Sequence, residues 1–213
     1  MVNNRETAIK VADLLLQIKA IKLQPQAPFT WASGALSPIY CDNRIALSYP
    51  EARTYIKHQF CDLIKSQFKG VDVIAGVATG AIGIGALIAD QLDLPFIYVR
   101  PEAKKHGRKN QIEGQLEPGQ KVVVIEDLIS TGGSSLNAVK AIKQEEGYLT
   151  GMLAIFSYGF DVAKNSFETQ GVSLTTLSNY DHLIQAAQES GHFSDGDLEL
   201  LKKWRKDPQN WNK

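Results

Sequence analysis

The residues best suited to chemistry are concentrated in a short stretch that follows an apolar run. Glu126 and Asp127 come directly after residues 122–125, and residues 130–134 form a serine, threonine and glycine loop that opens a predicted helix. Backbone N–H groups at a helix start converge on anions, and glycines let the main chain approach phosphate oxygens. Adjacent carboxylates accept hydrogen bonds from a sugar diol or hold a metal ion through water. The stretch indicates an anion site beside a carboxylate pair; the alternative is a helix N-cap preceded by two solvated acids.

A second polar segment, residues 100–109, is strongly basic. It holds five lysine and arginine side chains and one histidine against a single acid, and the polar sequence continues without periodicity to Gly114. A connection of this length is typical of a functional lid or of a disordered linker. A basic lid beside an anion-binding loop would clamp a polyphosphate and neutralise its charge as it leaves. The alternatives are a solvated basic loop and a short nucleic-acid patch.

A third candidate is a glycine-rich turn after the apolar run at residues 71–77. Residues 76–85 contain four glycines, which could bring backbone amides to a second phosphate group. Close packing of a helix on a sheet explains Gly83 and Gly85 equally well, so both interpretations stay open.

Short apolar runs rich in β-branched residues alternate with helical stretches and predict the elements that position these candidates. The predicted strands cover residues 71–77, 94–99, 121–125, 152–158 and 172–177. Helices are predicted over residues 51–68, from the glycine-rich turn to residue 92, and over residues 134–146. Strands that are apolar throughout lie in a parallel sheet with both faces covered. We therefore predict an α/β fold with a doubly wound, mostly parallel sheet, in which ligands bind beyond the carboxyl ends of the strands.

The first fifty residues are predicted to form a smaller unit. An amphipathic helix is expected over residues 5–20, with Asn3 and Glu6 as a capping box. A turn-rich segment follows, in which residues 29–34 could form a strand or hairpin. The predicted parts are residues 1–50, with the helix and a hood, and residues 51–213, with the core and a helical tail.

Composition excludes several classes of protein. The chain has 213 residues, 44% hydrophobic and 22% charged, with 23 basic and 23 acidic side chains. Such a chain builds a full core, and its neutral balance argues against a dedicated nucleic-acid coat. Cys41 and Cys61 are too few for a zinc site or a disulfide scaffold. No apolar run approaches the roughly 20 residues that span a bilayer, and the start has no apolar signal core, so we expect a cytoplasmic protein with neither membrane nor nucleic acid as partner.

Three motifs together resemble one family. Residues 122–134 closely resemble the phosphoribosyl-diphosphate signature of the type I phosphoribosyltransferases. The pattern Arg100-x-x-x-Lys104-x-His106-Gly107 is similar to the mobile catalytic loop of the orotate phosphoribosyltransferases. Residues 29–34 and 37–44 resemble the hood segment that covers the base in those enzymes. The resemblance spans roughly residues 25–160.

The resemblance implies a reaction and a set of site residues. Family members form orotidine monophosphate and pyrophosphate reversibly from orotate and 5-phosphoribosyl 1-diphosphate, in de novo pyrimidine synthesis. Glu126 and Asp127 would hold the ribose hydroxyls, residues 130–134 the 5-phosphate, and residues 78–80 would lie near the diphosphate. The residues implied in binding phosphoribosyl diphosphate are Arg100, Lys104, His106, Glu126, Asp127, Leu128, Ile129, Ser130, Thr131, Gly132, Gly133 and Ser134.

The same resemblance implies how the reaction is helped. Arg100, Lys104 and His106 would be catalytic because they face the leaving pyrophosphate. Orotate would lie near Ser130 and Tyr40, with backbone groups of residues 39–41 on its ring edge. Mg²⁺ would be the cofactor, carried by the diphosphate substrate with no direct side-chain ligand. Family members are homodimers whose mobile loop reaches the partner's active site.

Several positions depart from the family pattern. Some members carry lysines where this chain has Ala32, Gly80 and Pro101. Some also carry an arginine that pairs with the orotate carboxylate, aligned with Phe160. Arg44 or backbone amides are the alternatives for that carboxylate.

Two rival functions are weighed against this interpretation. Another nucleobase phosphoribosyltransferase, such as one for a purine, is disfavoured by the hood and by the Lys104-x-His106 loop. A non-catalytic regulator of the same fold could keep residues 126–134 and dispense with residues 100–109. The intact basic loop and the neutral charge favour the enzyme. Trp204 and Trp211, in the tail, are predicted to be packing anchors.

Overall fold

The computed structural model describes residues 2–31, 34–102, 111–208 and 210–211. Its strands are β1 (Ile21–Leu23), β2 (Phe29–Thr30), β3 (Leu36–Ser37), β4 (Ile39–Cys41), β5 (Val73–Val77), β6 (Phe96–Val99), β7 (Ile112–Glu113), β8 (Lys121–Ile129), β9 (Tyr148–Ser157) and β10 (Leu174–Asn179). Its α-helices are α1 (Arg5–Gln17), α2 (Pro50–Gln67), α3 (Ile82–Leu92), α4 (Gly133–Gln144), α5 (Asp161–Thr169), α6 (Tyr180–Glu189) and α7 (Asp195–Lys206), and a 3₁₀ helix spans Asn43–Ser48.

A six-stranded sheet forms the centre of the molecule, in the order β10-β9-β8-β5-β6-β7. Neighbouring strands are parallel from β10 to β6, and β7 adds an antiparallel edge. The predicted α/β fold with a mostly parallel sheet is confirmed. The edge strand β7 was not predicted, because a two-residue strand leaves no hydrophobic period in the sequence.

Both faces of the sheet are covered, as the apolar strands predict. Along β8, Val123 and Ile125 join the core cluster that contains α1 and α2 side chains, whereas Val122 and Val124 join the cluster that contains α4 and α5 side chains. Alternate residues of a strand point to opposite faces, so a strand buried on both faces must be apolar at every position.

Strand β8 is longer than its apolar run. The sequence predicts a strand over residues 121–125, but pairing with β9 continues through Glu126, Leu128 and Ile129. The acids break the apolar pattern without ending the strand, because a neighbouring strand still satisfies their backbone groups. Glu126 and Asp127 therefore lie near the end of a central strand and not in the loop after it.

The N-terminal region contains α1 and two small antiparallel sheets, β1–β4 and β2–β3. Helix α1 is capped by Asn4, whose side chain accepts hydrogen bonds from the N–H groups of Glu6 and Thr7. The predicted cap at Asn3 is wrong by one residue, and the helix ends at Gln17, before residue 20. Ser178 donates to the Ala8 carbonyl at 2.7 Å, which fixes α1 on β10. The division at residue 50 stays a prediction.

No helix in the described ranges is both long and apolar enough to cross a bilayer. The tail forms α6 and α7, and Trp204 on α7 is fully buried in agreement with its predicted role.

Candidate functional site

A cavity of about 270 Å³ lies at the carboxyl edge of the sheet, where the ends of β5 and β8 meet the 3₁₀ helix. The described residues that line it are Cys41, Asp42, Arg44, Val77, Ala78, Thr79, Gly80, Glu126, Asp127, Leu128 and Ser134. Parallel strands bring side chains from distant parts of the chain to this edge. Four of the predicted site residues thus face one space together with residues of the hood and of the turn after β5.

The two acids at the end of β8 have different surroundings. Glu126 is only 5% exposed, and its oxygens accept hydrogen bonds from the Asp127 N–H at 3.0 Å and from the Ser135 hydroxyl at 2.7 Å. Asp127 is half-buried, and its backbone carbonyl accepts a hydrogen bond from Asn43 Nδ2 at 2.7 Å. Asp127 is therefore the more accessible carboxylate, while Glu126 is tied into the start of α4.

Burial raises the pKa of Glu126 well above its ordinary value, and the adjacent Asp127 raises it further. The Ser135 hydroxyl and the Asp127 N–H act in the opposite direction, because both stabilise the charged form. Hydrogen bonds from sugar hydroxyls would likewise reduce the free-energy cost of burying the charged Glu126 carboxylate. In the described part of the chain, no group of three or more His, Cys, Asp and Glu side chains is placed to hold a metal ion.

The turn after β5 passes directly beneath Asp127. A Cβ atom added at Gly80 would collide with the Asp127 carboxylate, so this carboxylate occupies space that only glycine leaves open. The Ala78–Thr79 peptide of the same turn is cis. Gly85 has a different reason for lacking a side chain, because a Cβ there would lie 2.8 Å from Phe96 Cε2. The glycine-rich turn thus serves both site geometry and helix packing.

The predicted anion loop leads into the N-terminus of α4. Gly132 is the N-cap residue, with φ of +83°, and as a glycine it has no side chain with which to cap this helix end. A Cβ atom at Gly132 would lie 2.7 Å from Phe167, so the loop also packs closely on α5. The first N–H groups of an α-helix have no partner within the helix. Those of α4 point outward beside Ser134, which suits them to an anion.

The hood contributes the opposite wall of the cavity. Cys41 donates through Sγ to Asn43 Oδ1 at 3.3 Å, and burial together with Asp127 and Asp42 raises the pKa of this thiol. Arg44 binds Asp42 through Nε at 2.7 Å and Nη2 at 2.8 Å, and this pair lowers the pKa of Asp42. Tyr40 is 41% exposed and does not line the cavity.

The ends of the basic segment are held together by the β6–β7 pair. Arg100 N donates to the Gln111 carbonyl at 2.9 Å, and Gln111 Nε2 returns a hydrogen bond to the Arg100 carbonyl at 2.9 Å. The Arg100 side chain pairs with Glu113 at 3.3 Å and does not line the cavity. Lys104 and His106 lie outside the described residues, so their predicted roles stay predictions.

The remaining predicted residues of the loop have separate positions. Ile129 is buried in the core, and Ser130 is half-buried at the start of the loop. Thr131 and Gly133 line a different cavity of about 660 Å³ between α4 and α5. Sequence reasoning missed Asn43, although it lies inside the hood motif, because a side-chain bond to a backbone carbonyl 84 residues away leaves no local pattern.

Comparison with known proteins identifies relatives over nearly the whole chain. The family described as phosphoribosyl transferase domain matches residues 51–150. Orotate phosphoribosyltransferase of Bacteroides fragilis is 55% identical over 200 residues, 94% of each chain. The enzyme of the same name from Listeria monocytogenes is 52% identical over 204 residues, 96% of this chain and 98% of its own. The crystal structure of orotate phosphoribosyltransferase from Aeropyrum pernix superposes with a TM-score of 0.74 at 25% identity, covering 86% of this chain and 99% of that one.

Proposed function

This chain belongs to the orotate phosphoribosyltransferase family, and we propose that the residues around its cavity transfer the phosphoribosyl group of 5-phosphoribosyl 1-diphosphate to orotate. One observation carries the assignment: the carboxylates of β8, the glycine-rich turn and the hood line a single space. The phosphoribosyl side of this space consists of the end of β8, the 78–80 turn and Ser134 at the start of α4. Its base side consists of β4 and the 3₁₀ helix, and residues 158–160 after β9 support the hood through the contact of Tyr158 with Trp31. The products are orotidine 5′-monophosphate, a pyrimidine nucleotide, and pyrophosphate.

Asp127 binds the ribose diol, because its carboxylate is the accessible one and lies directly over Gly80. Glu126 completes the acceptor set from its buried position and fixes the start of α4 through Ser135. The uncapped N–H groups of α4 hold the 5-phosphate together with Ser134. These contacts place the anomeric carbon between the two sides of the cavity, which turns the encounter of two substrates into one oriented step.

The residues fit a magnesium ion that arrives on the diphosphate. Mg²⁺ keeps substrate phosphates and several waters as ligands, and the partly exposed Asp127 carboxylate beside the 78–80 turn would reach it through water, with no direct side-chain ligand. The bound ion would neutralise charge on the diphosphate as it leaves. The chain's own contribution is to fix the Asp127 carboxylate over Gly80, beside the 78–80 turn where the diphosphate would lie.

The departing diphosphate is also stabilised by the basic segment. Displacement at the anomeric carbon passes through oxocarbenium character, so the chain needs no side-chain nucleophile. Lys104 and Arg100 supply positive charge to the leaving group, and His106 donates a hydrogen bond or a proton to it. Arg100 releases Glu113 to do so, which costs little because their 3.3 Å pair is partly exposed.

The test of the reaction is the loss of orotate absorbance when the purified protein receives phosphoribosyl diphosphate and Mg²⁺. We expect turnover that falls sharply in Lys104→Ala while substrate binding largely survives. Lys69→Ala, an exposed lysine on the turn before β5, is the matched control. Turnover of a purine base with no loss of orotate would overturn the assignment.

We further propose a cytoplasmic homodimer in which the basic segment of one subunit completes the site of the other. Mixing Lys104→Ala with Asp127→Asn subunits should then restore part of the activity, because one of the two sites in a mixed dimer is intact. Absence of rescue after verified subunit exchange would contradict the sharing of sites.

A further inference from the structure

The C-terminal helix α7 contacts the hood at both of its ends. In its first turn, Asp197 Oδ1 accepts a hydrogen bond from Gln26 Nε2 at 2.8 Å, across 171 residues of sequence. In its last turn, the Trp204 ring packs edge-on against Trp31, with centroids 5.7 Å apart and planes at 86°. The tail therefore holds the segment that forms the base side of the cavity.

The same helix holds the corner after β9. Arg205 donates through Nε to the Tyr158 carbonyl and through Nη2 to the Gly159 carbonyl, both at 3.1 Å. The Trp204 ring also lies 5.7 Å from the Tyr158 ring. Burial and the neighbouring Cys41 raise the pKa of the Tyr158 hydroxyl, which agrees with its position beside the hood strand β4.

These contacts lead to the backbone that we assign to the orotate ring. Trp31 packs on Trp204 and donates through Nε1 to the Ile39 carbonyl at 3.3 Å. Trp204 is fully buried, and its own Nε1 has no hydrogen-bond partner within the described ranges. Trp204 is therefore held by packing, and it supports the hood and the corner after β9 through its ring contacts with Trp31 and Tyr158.

We propose that α7 is a brace for the base side, with Trp204 and Arg205 as positioning residues that set the affinity for orotate. The inference rests on the proposed function and adds a determinant of one substrate's binding. The hydrogen bonds and ring contacts of α7 reach the hood, α6 and residues 158–160, and none in the described part of the chain reaches β8 or α4. Substitutions that loosen α7 should therefore weaken the binding of orotate and leave the binding of phosphoribosyl diphosphate unchanged.

The experiment measures KM for each substrate at saturating concentration of the other, in the full-length protein. Arg205→Ala and Trp204→Leu should raise KM for orotate about fivefold to tenfold, since each removes contacts of order 1 kcal/mol or more. The KM for phosphoribosyl diphosphate should stay within about twofold, because distant sites act independently. Arg205→Lys, which keeps one donor, should recover part of the orotate affinity, as should Trp204→Phe.

Lys202→Ala is the matched control, because Lys202 is exposed and pairs with the exposed Glu199 at 3.1 Å on the same helix. If Trp204→Leu does not fold, the KM values of Arg205→Ala and Gln26→Ala test the proposal instead, because both substitutions change side chains that are at least partly exposed. Equal rises in both KM values, or no change in either, would overturn the brace while wild-type turnover of orotate upheld the proposed function. Failure of the wild-type protein to consume orotate would overturn both the proposed function and the proposed role of α7.

Discussion

The phosphoribosyl side of the cavity comes largely from one continuous segment, residues 121–135, whereas the base side is assembled from parts of the chain that are far apart. In the continuous segment, Glu126 bonds to its neighbours Asp127 and Ser135 and sits in the centre of the sheet. On the base side, strands of two or three residues are held by contacts such as that between Trp31 and Trp204. The first side is fixed by its own segment, and the second by what packs behind it.

This difference predicts how substitutions act. A change on the phosphoribosyl side moves groups that share one rigid strand and helix, so its effects on activity should be large. A change on the base side loosens one of several supports, so it should alter mainly the affinity for one substrate. Asn43 joins the two sides and should affect both.

The largest effect is expected from Gly80→Ala. The new Cβ atom would occupy the space of the Asp127 carboxylate, and the side chain would have to rotate away while the fold survives. Misplacement of a binding group by about 1 Å costs about a hundredfold in activity, so we expect a loss of that size in kcat/KM for phosphoribosyl diphosphate. Gly196→Ala, where the nearest atom lies 3.7 Å from the new Cβ, is the control. Wild-type kinetics in Gly80→Ala would show that Asp127 does not need its present position.

A smaller and more selective effect is expected from Arg44→Ala on the base side. Arg44 lines the cavity, and Asp42 holds its Nε and Nη2 in a fixed orientation, which leaves Nη1 for the orotate carboxylate. Because the guanidinium is exposed, we expect KM for orotate to rise only roughly fivefold. The KM for phosphoribosyl diphosphate should not change. Lys22→Ala, an exposed cation on β1, is the control, and an unchanged KM for orotate would favour backbone amides as the partner of the carboxylate.

The sequence predicts the strand and helix of the phosphoribosyl side because their determinants are contiguous. The apolar run, the acids and the loop at residues 130–134 succeed one another, and β8 was predicted too short because Glu126 and Asp127 interrupt the apolar pattern. A parallel sheet also follows from strands that are apolar on both faces. Elements of this kind are encoded by neighbours in the chain.

The base side escapes sequence reasoning because its contacts are long-range. Trp204 could be predicted as a packing anchor, but nothing in its surroundings indicates Trp31, 173 positions earlier, as its partner. The interaction of Asn43 with the Asp127 carbonyl is equally invisible. Short strands such as β2 and β3 add no periodicity, so their pairing depends on tertiary packing.

Asn43→Ala tests the junction of the two sides. Its loss leaves the Asp127 carbonyl without its 2.7 Å donor, and Asn43 itself is only 2% exposed. An unsatisfied buried group costs about 1–3 kcal/mol, so both KM values should rise roughly threefold and the melting temperature should fall. Asn43→Asp should be worse, because an acceptor would then face the carbonyl. A rise in only one KM would place Asn43 on one side alone.

The smallest effect is expected from Glu126→Gln on the phosphoribosyl side, and it is a change in the stability of the ligand-free protein. In the unfolded chain Glu126 ionises near its ordinary pKa of 4.5, whereas burial raises the pKa in the folded protein. Between these two values the folded state keeps a proton that the unfolded state has lost, so the free energy of unfolding falls as pH rises. Glu126→Gln cannot ionise, and its amide can donate to Ser135, whose hydroxyl accepts as readily as it donates.

The ligand-free Glu126→Gln protein should therefore melt at a higher temperature than the wild type at pH 8, by about 3 °C for each kcal/mol of relieved charge burial. Well below pH 4.5 the difference should vanish, because the wild-type carboxyl is then protonated in both states. Glu145→Gln, at an exposed position after α4, is the control substitution. A difference that is constant across pH would trace to packing instead of charge. A pH-dependent gain would mean that the carboxylate's charge in the free protein costs stability, a cost that ribose hydroxyls bound as proposed would relieve.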